Sequence, residues 1–136
     1  MPELTGENIS VSLRLVETEL VRMPSFRASL EIAFLYPTGK MTYSSDGLWF
    51  GIEDWERLLI SLESGDAHCE VSDLSYDVTL RFSGNTQRIN VVIRLRRRMA
   101  GVGEGELNLH FGESYELRER ALSFAKSVRH QYENLQ

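Results

Sequence analysis

Gly51–Gly65, GIEDWERLLISLESG, is the stretch whose reading decides the fold. Ile52, Trp55, Leu58, Leu59 and Leu62 recur at helical spacing and draw one apolar stripe wide enough to cover the face of a sheet. Glu53, Asp54 and Glu56 place negative charge in the first turn, where unpaired N–H groups and the helix dipole favour it. Ser64-Gly65 supplies the stop, because glycine accepts the left-handed conformation that a helix C-cap often requires. Sheet-like sequence lies on either side of this helix, so the chain is read outward from it in both directions.

Before the helix, Ile9, Val11, Leu13 and Leu15 alternate with polar residues, the period of a half-buried strand. Pro24 interrupts the pattern. Phe26 to Tyr36 then alternates again, and Pro37-Thr38-Gly39 marks a turn. Met41–Ser45 and Leu48–Phe50 are expected to be short strands joined by a tight turn at Asp46-Gly47. After the helix, Ala67–Val71 alternates. Leu74, Tyr76, Val78, Leu80 and Phe82 then read as one strand that pairs with Ile89–Leu95 as an antiparallel hairpin. A glycine-rich connection, GVGEG at 101–105, leads to a last strand through Leu107, Leu109 and Phe111. From Ser114 onward, Leu117, Ala121, Phe124, Val128, Tyr132 and Leu135 step by threes and fours along a C-terminal helix. That seam is expected to dock on the chain's own sheet, with a homodimer contact through the C-terminal helix as the alternative.

These elements give about seven or eight strands and two helices without regular strand–helix alternation. The expected class is α+β: a mainly antiparallel β-sheet, sandwich or open barrel, with one central helix and one C-terminal helix. The chain of 136 residues reads as a single domain spanning 1–136, with no sequence repeat. Its net charge of −5 argues against a general nucleic-acid binder, which is usually basic. One cysteine, Cys69, excludes an intrachain disulfide. The opening MPELTGENIS has acids and no apolar core of a signal peptide, and no long apolar run suits a membrane span. A cytoplasmic location is expected.

Motifs for chemistry are sparse. His68 and Cys69 are adjacent on a strand and so face opposite ways; no CxxC or HxxxH spacing occurs, and no metal or cofactor is expected. The serines lack a GxSxG context, and Cys69 lies on the apolar side of its strand, so no catalytic residue is assigned. GVGEG lacks the lysine and following helix of a phosphate loop.

Charge placement carries more. Nine acids and one cation, Arg57, lie between Met41 and Leu80, whereas six arginines and no acid lie between Val78 and Gly103. Arg94, Arg96 and Arg98 should share one strand face, with Arg97 opposite. The two runs either neutralise one another or form a two-signed surface that orients a partner. Trp49, alternating with Leu48 and Phe50, is a candidate contact residue because tryptophan is enriched at binding hot spots. The candidate partner-binding residues are therefore Asp46, Trp49, Glu53, Asp54, Arg94, Arg96 and Arg98.

The run from Ser45 to Arg98 contains Gly47-Leu48-Trp49-Phe50, then Trp55-Glu56-Arg57-Leu58-Leu59 with Leu62 and Gly65. A short strand and the hairpin DVTLRFSG…INVVIRLR follow. This order resembles small bacterial immunity proteins of the WapI-like kind. The resemblance implies a cytoplasmic protein that binds and neutralises a cognate toxin domain by occlusion, without catalysis or cofactor. It carries no signature of functional residues. Many such toxin domains are basic nucleases, so the acids of Asp46–Asp77 would be the plug, provided they form one exposed patch. The alternative is a small-ligand domain, its sheet curled around a pocket lined by Phe34, Tyr36, Tyr76 and Phe82.

Overall fold

Period-two alternation builds most of the molecule, and its apolar half faces two helices. The computed structural model describes residues 1–99, 103–111 and 115–135; the side chains of 97–99, 103, 104 and 115 lie outside that description. Among the described residues there are eight strands and two helices. The first sheet contains β1 (Glu3–Thr5), β2 (Ile9–Glu19), β3 (Ser25–Tyr36) and β4 (Gly39–Gly51). Helix α1 (Ile52–Ser64) follows. The second sheet contains β5 (Ala67–Ser72), β6 (Val78–Gly84), β7 (Ile89–Met99) and β8 (Gly103–His110), and α2 (Tyr115–Asn134) ends the chain. Each sheet is a four-stranded antiparallel meander in sequence order. The chain is thus α+β, and its architecture repeats: four strands and a helix, twice. The repeat lies in the order of elements and leaves no trace in the residues.

Helix α1 begins with Gly51 as an extended N-cap and ends on Gly65 at φ 97°, the left-handed cap its sequence called for. It buries Trp55, Leu58, Leu59 and Leu62, while Ile60 on the opposite face is exposed. Helix α2 buries Leu117, Ala121, Phe124, Val128 and Tyr132 within the chain, leaving Leu135 exposed at the end of the seam. It packs on α1 and on β1, β2 and β7. The Arg118 Nη2 donates to the Leu62 carbonyl at 2.6 Å, placing a cation at the negative end of α1. The Tyr132 hydroxyl donates to Glu56, fastening the other ends of the two helices.

One continuous core joins both sheets to both helices. Its centre is aromatic. Phe26 stacks on Phe50 and on Tyr132, each with ring centroids 5.6 Å apart, and Trp55 meets Phe124 edge-on at 5.7 Å. Each such pair adds about 0.5–1.5 kcal/mol beyond the area it buries. Because these rings come from β3, β4, α1 and α2, the cluster fixes where β4 leaves its sheet. None of the helices among the described residues is long and apolar enough to cross a membrane.

Two sequence expectations are overturned here. Asp46-Gly47 is not a hairpin turn: β4 runs unbroken through it, and the two residues bulge opposite the single residue Ser29, between the pairs Leu30–Ser45 and Ala28–Leu48. Gly47 takes φ 73°, which a bulge and a tight turn both demand, so the dipeptide alone does not distinguish them. Leu74 and Tyr76 do not continue β6, which starts at Val78. They sit exposed on a turn, because the Asp73 carboxylate captures the backbone N–H groups that a ladder would have used. Two further differences are smaller. β1 is too short to announce itself by periodicity, and the last hairpin is longer than expected, with β8 beginning at Gly103. Residues 100–102 of the GVGEG connection and its approach lie outside the described residues.

A candidate recognition cleft between the sheets

The two sheets meet where the end of β4 touches the turn after β5. Phe50 bridges to Asp73, and the Leu74 N–H donates to the Trp49 carbonyl at 2.8 Å. On the N-terminal side of this junction β4 and the second sheet part company and leave a cleft of about 450 Å³. One wall is the bulged stretch of β4, from Tyr43 and Ser45 through Trp49. The other is the 73–77 turn with Arg96 of β7. A regular strand would present alternate residues to a cleft, but the bulge breaks that alternation and lets Ser45, Asp46, Gly47 and Leu48 line it consecutively. A second depression, about 300 Å³, adjoins the first and shares Tyr43 and Arg96 with it; Leu95 and Leu107 give it an apolar floor.

The turn is built around Asp73, whose side chain is 2% exposed. The Val78 N–H donates to Oδ1 at 2.8 Å and the Ser75 N–H to Oδ2 at 3.2 Å. Burial pushes the carboxyl above its ordinary value, and the backbone N–H groups of Val78 and Ser75 pull the other way. The turn holds Tyr76 at φ 58°, a left-handed conformation that a bulky side chain rarely adopts, and leaves it 66% exposed beside the cleft. The Arg96 N–H donates to the Asp77 carbonyl at 2.8 Å, which joins the turn to β7.

Of the seven candidate residues, Asp46, Trp49 and Arg96 meet in this cleft. Arg94 does not. It lies on the outer face of the second sheet in the row Thr79–Arg94–Asn108, where Nη2 makes a long contact to Thr79 Oγ1 at 3.5 Å and Nε is buried without a partner. Arg98 pairs through its backbone with Glu104, and its side chain lies outside the described residues. Glu53 and Asp54 occupy the first turn of α1, and Asp54 forms an ion pair with Arg57.

The acids of Asp46–Asp77 do not gather into one exposed patch. Glu56 holds Tyr132, Glu70 pairs with Arg81 at 2.6 Å, and Asp73 is buried; only Asp46 and Asp77 remain as available carboxylates in the cleft. The aromatics Phe34, Tyr36, Tyr76 and Phe82 do not share a pocket either. Phe82 is fully buried, Tyr36 is exposed at the end of β3 beside Phe34, and Tyr76 is exposed on the 73–77 turn.

Tyr43 belongs to the site and was not singled out by sequence, while Asp73 and Asp77 were counted only within the acidic run Asp46–Asp77. Asp73 carried a signal, an aspartate placed to start a turn by accepting N–H groups a few residues on. Among the described residues, no three His, Cys, Asp or Glu side chains converge as metal ligands. Cys69 is half-buried, and burial raises its thiol, the opposite of an activated nucleophile. No protein-family model, curated protein or solved structure matches this chain.

Proposed function

We propose that the chain is a non-catalytic recognition domain that binds a protein partner through the cleft between its sheets, as an immunity protein occludes a toxin domain. The observation that carries this reading is the convergence of Tyr43, Trp49 and Arg96 on one concavity, with Tyr76 exposed at its side. Tryptophan, tyrosine and arginine are the residue types that dominate binding hot spots, and they do so in pockets that a partner can desolvate. Tyr76 strengthens the argument, since holding an exposed ring on left-handed backbone costs about 1 kcal/mol or more and brings no burial in the free protein. The partner is a cytoplasmic protein in this reading, and neutralisation follows from covering its working surface.

Affinity capture from the source organism, with wild type and with Trp49→Ala and Arg96→Glu, tests it. One near-stoichiometric protein retained by wild type and lost by both variants is expected. That protein should arrest growth when produced alone and not when co-produced with this chain. A captured protein indifferent to both substitutions would overturn the proposal. A small-ligand reading has one observation in its favour, a cleft volume within the roughly 300–1,000 Å³ usual for ligand pockets. A metabolite whose thermal stabilisation of the protein disappears in Trp49→Ala would favour it.

A further inference from the structure

β4 is the last strand of its sheet, with β3 on one side only. Beyond its junction with Asp73 and Leu74, no strand among the described residues lies against its other edge. A free strand edge presents alternating N–H and C=O groups, the template that extended peptides use when they add to a sheet. Proteins usually blunt such an edge or cover it; the bulge at Asp46-Gly47 interrupts this one, while residues 41–45 before it keep a regular ladder. Here it forms the wall of the two adjoining depressions that share Tyr43 and Arg96.

Charge says what kind of segment fits. Asp46 and Asp77 line the larger depression and Glu106 the smaller, and no ion pair among the described residues engages any of the three. Among the described residues Arg96 is the cation that lines both depressions, and Glu106 also shares a smaller hollow with Arg81 and Arg94, so Asp46 and Asp77 carry the attraction. Tyr43 and Trp49 supply an aromatic face on either side of Asp46 along the same wall, and a guanidinium or ammonium gains by lying over such a face as well as beside a carboxylate.

We infer that the partner presents an extended basic segment, which adds to the free edge of β4 and seats an arginine or lysine side chain against Asp46 and Asp77. This rests on the cleft being the recognition surface, and it names what the cleft recognises.

The probe is a blocked heptapeptide of alternating threonine and valine with arginine at its centre, compared with versions carrying glutamate or leucine there. Amide shifts across 41–49 and Trp49 fluorescence report binding up to millimolar concentration. The arginine peptide is expected to bind about tenfold more tightly than the glutamate peptide. Asp46→Asn combined with Asp77→Asn should remove that preference. Methylating alternate peptide nitrogens should abolish binding if the edge is paired. A preference for glutamate, equal binding of the methylated peptide, or no shift with any peptide would each overturn the inference. If the captured partner still depends on Trp49 and Arg96 in those cases, the basic segment falls while the cleft remains the binding surface.

Discussion

Asp73 offers the sharpest test of how the cleft is built. Replacing it with alanine removes two acceptors and leaves the buried Val78 N–H without a partner. A hydrogen bond to a charged acceptor contributes about 1.5–3 kcal/mol, and the 3.2 Å bond from the less buried Ser75 about half as much. Against this, the variant no longer buries an ionised carboxylate, whose cost is what raises the pKa. The balance for Asp73→Ala is a loss of about 2 kcal/mol, or about 8 °C in Tm for a domain of this size. Asp73→Asn keeps the Oδ1 acceptor for Val78 and should lose only about 1 kcal/mol. Urea unfolding followed by circular dichroism measures both. The pH dependence has a fixed sign. Because the folded-state value lies above the ordinary 3.8, the Asp73 contribution is fully present below about pH 3.8 and is lost as pH rises through the raised value. The advantage of wild type over Asp73→Asn should therefore shrink between pH 3 and 7. An alanine variant within about 0.5 kcal/mol of wild type, or an advantage over asparagine that grows with pH, would refute the account.

Tyr132→Phe should lose about 1 kcal/mol at neutral pH by leaving Glu56 without its donor. Burial first, and then the Glu56 carboxylate, push the Tyr132 phenol above its ordinary 10. Its contribution is present below about pH 10 and lost above the raised value, so an alkaline unfolding midpoint should separate wild type from the phenylalanine variant. Gly47→Ala meets no atom within 4 Å but is forced onto left-handed backbone; a loss of about 1 kcal/mol in the same urea assay is expected. Charge removal at Glu70 or Arg81, an exposed pair, should change stability by less than about 0.5 kcal/mol and vanish from measurement in high salt.

Local periodicity carried the scaffold. The alternations of β2, β3, β6 and β7 and the stripes of α1 and α2 were legible because burial acts on every second or every third to fourth residue. What could not be read was decided at a distance. Whether Asp46-Gly47 turns the chain or bulges it depends on β3, which lies opposite and offers Ser29 as the single facing residue. Leu74 and Tyr76 alternate with polar residues and so imitate a strand, yet the Asp73 carboxylate takes the Ser75 and Val78 N–H groups on either side of Tyr76, and the Leu74 and Tyr76 N–H groups go to the Trp49 and Asp73 carbonyls. The same limit applies to the site. Trp49, Asp46 and Arg96 were recognisable by type and charge, but their meeting depends on a junction between two sheets that no local pattern encodes. Arg94, two residues from Arg96, shares Glu106 as a neighbour with it, yet lies beyond the cleft beside Thr79 and Asn108.

The repeated order of four strands and a helix has a consequence for synthesis. Every strand pairs with its sequence neighbour, so the first meander has all its partners once residue 51 has been made, and the second once residue 110 has. The element that closes the molecule comes last: α2 covers β1 and β2, and Arg120 reaches back to the Thr5 carbonyl at 3.2 Å. Between the synthesis of α1 and that of α2, the part of the first sheet's apolar face that lies over β1 and β2 waits for a helix still inside the ribosome. The nascent chain is therefore most exposed to chaperones and to aggregation after its first sheet has formed and before α2 emerges, and a premature stop before α2 would leave β1 and β2 without the helix that covers them.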